Sequence, residues 1–154
     1  LLNMNTKETK LNIIQAGQLA IKNSKKDFNL LIKSLNLNLD VLNAWADSPE
    51  YDKIAGAVQD DKNKNYKVKN SQIHGKGIFA NKYIKKNSII GYALKNKKRT
   101  YLGKYTNHSP FYNSKFFDKK NGLETIMIAS KNINKNEEIL VDYRNQIFNR
   151  EFYK

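Results

Sequence analysis

The residues of this chain best equipped for chemistry fall into three short clusters. Asn107-His108-Ser109 comes first, with Asn113 four residues on. An Asn side chain carries both donors and acceptors, so Asn107 can satisfy an adenine edge or a ligand carboxylate. His108 taken alone is more often a structural hydrogen-bonding residue than a catalytic one. The second cluster is Asp142-Tyr143, at the end of the apolar run Ile139-Leu140-Val141. Read without its neighbours, Tyr143 closes a half-buried strand. The third is Gly75-Lys76-Gly77, set between Ile73-His74 and Ile78-Phe79-Ala80. Glycines there let a ligand approach the backbone closely, and by themselves they fit a β-bulge better. Glu137-Glu138 look like an acid/base pair, but adjacent residues of a strand face opposite ways.

The elements that must position these clusters differ between the two halves of the chain. From Thr6 to about Val58 the apolar spacing is helical. Leu11, Ile14, Gln18 and Ile21 form a stripe that Leu19 and Ala20 widen. Ser24 is placed to cap a second helix carrying Phe28, Leu31, Ile32 and Leu35. Asn38 or Asp40 would cap a third, with Val41, Leu42 and Trp45. Ser48-Pro49-Glu50 reads as a helix start, with Ser48 capping and Pro49 in the first turn. Asp60 to Asn65 is a polar linker.

Beyond Tyr66 the texture changes to short strands at Lys67–Lys69, Lys76–Ala80, Ser88–Leu94, Thr125–Ala129 and Glu138–Val141. Turns fall at Lys86-Asn87, Asn121-Gly122 and Asn134 to Asn136. One internal echo stands out: Ala80-x-x-x-Ile84-x-x-Asn87-x-x-Ile90 is matched by Ala129-x-x-x-Ile133-x-x-Asn136-x-x-Ile139. It predicts two similar β-turn-β units packed against each other. The organisation expected is a helical region over 1–62, a β-domain over 63–145 and an aromatic tail over 146–154.

Composition narrows the class. Hydrophobic content of 40% and aromatic content of 11% describe a globular chain. The formal charge of +14 points towards nucleic acid or an acidic partner. Against that, the basic residues are almost all Lys, in a chain crowded with Asn and Ile, which is the composition an A/T-rich genome writes. Arg, the better reader of phosphates and base edges, occurs only at Arg99, Arg144 and Arg150. There is no cysteine, hence no disulfide framework and no Cys-based zinc site. No apolar run approaches the ~20 residues of a membrane-spanning helix. Leu1 to Lys10 lacks a signal peptide's apolar stretch, so a cytoplasmic location is expected, host cytoplasm for a viral protein.

Taken together and in order, the clusters resemble the three signatures of the SET-domain protein-lysine methyltransferases. Gly75-Lys76-Gly77 resembles the family's Gly-x-Gly segment. Asn107-His108-Ser109-Pro110-x-Tyr112-Asn113 resembles its Asn-His-Ser-Cys-x-Pro-Asn, with Pro110 and Tyr112 as departures. Asn136-Glu137-Glu138-Ile139-Leu140-Val141-Asp142-Tyr143 resembles its Gly-Glu-Glu-(apolar)-x-x-Asp-Tyr. Asn stands for Gly at Asn87 and Asn136, which is physically licensed because Asn tolerates left-handed backbone angles.

The resemblance covers Tyr66 to Tyr143. It implies a mainly β fold, the β-clip SET domain with its pseudoknot, preceded here by helices. It implies S-adenosylmethionine as cofactor, held by Gly75, Lys76, Gly77, Asn107 and His108, and a protein substrate presenting a lysine. Tyr143 would be the catalytic residue where the cofactor and lysine sites meet, and Tyr105 a second channel residue. The family's variable insert is nearly absent before Asn107, and its cysteine-rich zinc segment after the last motif is missing. Completing the lysine channel therefore falls to the N-terminal helices or to the tail aromatics. Phe148 and Phe152, spaced i, i+4, would share a helix face and cover the cofactor. No metal and no membrane are implied. A competing class remains: a nucleic-acid-binding protein acting through its helical half, with a non-catalytic SET-like module. The helices would alternatively pair two copies in a homodimer.

Overall fold

The computed structural model describes residues 6–38, 40, 48–119 and 121–153. The first element is a single helix, α1 (Thr6–Ser34). The predicted break at Ser24 does not occur. Ser24 Oγ bonds back to the Ala20 carbonyl at 2.8 Å, so the hydroxyl is satisfied inside the helix and caps nothing. The helix stops where Asn36 turns left-handed at φ 55°. Asn36 N–H donates to Lys33 O and Leu37 N–H to Ile32 O, the paired bonds of a Schellman ending.

The expected apolar stripe is not what α1 buries. Ile14 and Leu19 are more than half exposed, while Ser24, Leu31 and Ile32 are buried. The third helix expected around Val41, Leu42 and Trp45 lies outside the described residues. α2 (Pro49–Ala55) follows the reading closely. Ser48 Oγ accepts Tyr51 N–H at 3.2 Å, with Pro49 in the first turn.

The rest is strand, turn and short helix: β1 (Tyr66–Asn70), β2 (Lys76–Ala80), β3 (Ile89–Lys95), β4 (Lys98–Arg99), α3 (Tyr101–Tyr105), β5 (Asn107–His108), β6 (Ser114–Asp118), β7 (Thr125–Ala129), β8 (Glu138–Val141), α4 (Tyr143–Phe148) and β9 (Glu151–Phe152). They form two sheets, in the orders β1-β2-β8-β5 and β4-β3-β7-β6-β9. Among the described residues helix and strand are about equal, because α1 alone holds 29 residues. The mainly β character belongs to the part after Tyr66.

The internal echo becomes a pair of interlocked units. Ile84 and Ile133 exchange both backbone bonds at 2.8 Å. Asn87 N–H donates to Ala129 O, and Asn136 N–H donates to Ala80 O, each at 2.8 Å. The Asn residues sit at φ 72° and 74°, so both turns use the left-handed angle that Asn was expected to supply. Between the units lies the core, in which Ile78, Ala80, Ile90, Met127, Ala129, Ile133, Ile139 and Val141 are buried together with Leu102 of α3.

α2 is tied on by Arg99. This buried guanidinium bonds to Gly56 O and to the carboxylate of Asp52.

Candidate functional site

The three sequence clusters converge, and β8 is the reason. It runs antiparallel to β2, which carries Lys76 and Gly77, and parallel to β5, which is Asn107-His108. Asp142-Tyr143 follows β8 directly. The segment after β5 is threaded against the same strand. Ser109 N–H donates to Val141 O, and Ser114 Oγ donates to Leu140 O. Asn113 imitates a strand neighbour: its amide donates to Glu138 O and accepts from Leu140 N–H, each at 2.9 Å.

Asn107 is buried, and its Nδ2 faces three acceptors: His74 O at 2.8 Å, Lys76 O at 3.2 Å and Glu138 Oε2 at 3.1 Å. It therefore fixes the loop that carries Gly75-Lys76-Gly77. Gly75 adopts φ +46°, with open space where a Cβ would sit. Gly77 is different: a Cβ there would collide with the Glu138 carboxylate. Ser71 closes the loop. Its hydroxyl donates to Glu138 at 2.9 Å and accepts Ile73 N–H at 3.0 Å.

Glu138 turns inward, as the alternation argument requires, while Glu137 is exposed. Partial burial pushes the Glu138 carboxyl above its usual range, against the lowering effect of its Asn107 and Ser71 hydrogen bonds. Among the described residues it has no cationic partner. Beside this loop, Val68, Lys69, Asn70, Lys76, Tyr101 and Tyr105 line an open groove of about 540 Å³.

Tyr143 is the first residue of α4, capped by Asp142, whose carboxylate accepts Arg144 N–H at 3.0 Å. Its hydroxyl donates to Thr106 O at 2.7 Å. Burial, helped by the fields of Tyr51 and Glu138, raises the phenol's pKa well above its ordinary value. Its backbone N–H donates to Nδ1 of the buried His108 at 3.0 Å.

The structure adds residues that the sequence reading did not select. The carboxylate of Asp27, on α1, lies 2.6 Å from His108 Nε2. It also receives both arms of Arg144, at 2.7 and 2.9 Å. These hydrogen bonds, Arg144's foremost, hold its carboxyl below the usual range. Phe28 lies 5.7 Å from His74, 6.2 Å from His108 and 6.1 Å from Tyr143, centroid to centroid. The sequence offered the N-terminal helices as material for the lysine channel, but no signal in it singled out Asp27 or Phe28.

The tail aromatics do not take the i, i+4 helical arrangement expected of them. α4 ends at Phe148, and Phe152 lies in β9, so the two do not share a helix face. Both are more than half exposed. β9 is the edge strand of its sheet, paired with β6, and Arg150 forks onto Asp118 at 2.6 and 2.7 Å.

The family model described as SET domain matches residues 91–144. A crystal structure of a Plasmodium falciparum protein, titled as a candidate histone methyltransferase, is similar at 25% identity. It covers 52% of this chain and 93% of that one, with a TM-score of 0.42. No curated protein matches the chain.

Proposed function

Since the chain carries a SET domain, matched over residues 91–144, we propose that it transfers a methyl group from S-adenosylmethionine to a lysine side chain of a protein. The observation that carries this reading is the state of Tyr143. Its O–H is committed to Thr106 O, so the phenol oxygen turns only acceptor lone pairs outward. A phenol is neutral at physiological pH even at its ordinary pKa, and burial moves this one further in that direction. A neutral, fixed acceptor is what an incoming amine needs in order to be aimed. It also suits the weak C–H···O bonds that a methyl bound to a sulfonium can donate.

The residues present fit the cofactor. When bound, S-adenosylmethionine would supply an electrophilic methyl on a sulfonium centre. Gly75, with open space above its backbone, and the adjoining groove of about 540 Å³ give a ligand of that size room. Lys76 is available to its carboxylate. Glu138, desolvated and without a cation among the described residues, suits its positive charge. Asn107 holds the loop rather than pointing into the groove, so its contribution is to shape the site.

The chain's own part in the reaction is alignment. A free lysine amine has a pKa of about 10.4 and must lose its proton before it can attack. A partly dry site carrying a positive charge lowers that pKa, so no dedicated base is required. Tyr143 would then orient the neutral amine, and Tyr105, at the groove, would wall its path.

The competing nucleic-acid reading gains nothing here. All three Arg side chains are occupied internally, by Asp52, Asp27 and Asp118.

Calorimetry with S-adenosylmethionine should show one site per chain. Incubation with methyl-labelled cofactor and a lysate of the source cells should label a protein on lysine. A folded chain that binds no cofactor would remove the proposal.

A further inference from the structure

Helix α1 meets the rest of the molecule along one face, and its contacts fall on the motif residues. Ser24 Oγ lies 2.8 Å from Ser109 Oγ. Three residues on, Asp27 reaches His108 and Arg144. Phe28 then lies over His74, His108 and Tyr143. Resting on the methyl-transfer reading, we infer that Asp27 is a positioning residue, which fixes Tyr143 through His108 and so makes α1 part of the active site.

The hydrogen bonds dictate the argument. Tyr143 N–H points at His108 Nδ1, which must therefore present its lone pair. The ring proton is then on Nε2. That N–H is buried and needs an acceptor, and Asp27 Oδ2 supplies it at 2.6 Å. If Asp27 is removed, the buried Nε2–H loses its partner. The ring then gains by moving its proton to Nδ1 or by rotating, and either change sets it against Tyr143 N–H.

Asp27 holds the same helix turn a second time, through Arg144, the residue next to Tyr143. The titratable and charged groups facing Asp27 are the His108 ring from β5, and Asp142 and Arg144 at the start of α4. Asp142 Oδ1 lies 3.6 Å from His108 Nδ1. The Arg144 guanidinium offsets the two carboxylates, so Asp27 stays ionised and able to accept. The first turn of α4 is thereby fixed at its backbone by His108 and at its side chain by Asp27, which leaves the Tyr143 hydroxyl one position, on Thr106 O.

The test reads tautomer and transfer together. The chain has two histidines, so nitrogen-15 labelling of His gives two imidazole patterns that His74→Gln separates. In the native chain His108 should show the Nε2-protonated pattern at neutral pH. Asp27→Ala should shift it to a mixture or to the other tautomer. Single-turnover methyl transfer to poly-L-lysine should fall about tenfold, with cofactor affinity within about twofold of native, as expected for lost alignment. Asp27→Asn keeps an oxygen that accepts the Nε2–H. It should restore the tautomer and most of the rate, which a change in folding alone would not do.

An unchanged tautomer in Asp27→Ala, or a transfer rate equal to or above native, overturns the positioning role while leaving the methyl-transfer reading intact. A native chain that neither binds the cofactor nor transfers methyl overturns both.

Discussion

Tyr143 and Glu138 show how the two ends of one strand serve two kinds of chemistry: Glu138 opens β8, and Tyr143 follows its far end. Tyr143 contributes one hydroxyl, held on Thr106 O. Tyr143→Phe keeps the ring against His108 and Phe28 and removes only that oxygen. Single-turnover transfer should fall tenfold or more, about 1.4 kcal/mol in the barrier. Cofactor affinity should hardly change, and stability should drop by about 1 kcal/mol, the worth of one hydrogen bond. Full single-turnover rate in this variant would leave the proposed chemistry without its central residue.

Glu138→Gln should do the opposite. It removes a desolvated charge but retains groups that can bond to Ser71 and Asn107. Denaturation at pH 7 should find the variant at least as stable as native, while calorimetry finds weaker cofactor binding. Unaltered affinity would remove Glu138 from the cofactor site. Tyr143 and the Asn107-His108 pair were legible in the sequence because their types and order carry information. Glu138 was half legible: alternation says that one of the two Glu faces inward but not what it meets. Asp27 was illegible, since an acidic residue on a helix is ordinarily solvated and its partners lie more than eighty residues away.

Elements were legible where a local rule decides them. Thr125–Ala129 and Glu138–Val141 became strands with the expected bounds, because apolar runs between turn residues have few alternatives. β4, β5, β6 and β9 were missed; β4, β5 and β9 are two residues each and exist only because a partner strand is beside them. Ser24 misled because capping and back-bonding draw on the same hydroxyl chemistry, and only the continuation of the helix decides between them.

The paired turns give a sharp test. Asn87 and Asn136 hold left-handed angles while their N–H groups lock the two β-units together. Alanine at either position has to adopt φ near +70° without help from its side chain, at a cost of roughly 1–2 kcal/mol. Glycine removes that strain but loses more chain entropy on folding, so it should lie within about 1 kcal/mol of native. At Asn136 both variants also lose an exposed bond from Lys67 Nζ, worth little. Urea unfolding of the four variants should rank alanine below glycine at both sites. Equal stability would mean that the left-handed angles are not needed.

At the scale of the molecule, the attachment of α1 depends on a carboxylate, and this gives the fold a directional response to acid. Asp27 titrates below its usual value when folded because of Arg144 and His108. A group whose folded pKa is depressed contributes stability that is fully present above the unfolded value, near 3.9, and is lost as pH falls through the folded one. Asp118 behaves alike, held down by Arg150, with Thr125 adding a hydrogen bond. Glu138 has the reverse sign: its raised pKa penalises the folded state at neutral pH, and protonation relieves the penalty. Asp27→Asn should therefore be less stable than native at pH 7. The gap should begin to narrow as pH falls below about 4 and be lost as pH passes through the lowered folded value, where native Asp27 is itself neutralised. Glu138→Gln should differ most from native at neutral pH, in the opposite direction, and converge as Glu138 takes its proton. Net charge does not produce this pattern. Acid raises the already high positive charge of native and variants together, and that self-repulsion cancels in the difference. Urea midpoints at pH 7, 5 and 3, read by helix circular dichroism, measure both gaps. A deficit in Asp27→Asn that stayed constant across that range would show that α1 is held by its apolar contacts, and that the Asp27–His108–Arg144 network adds no pH-dependent stability.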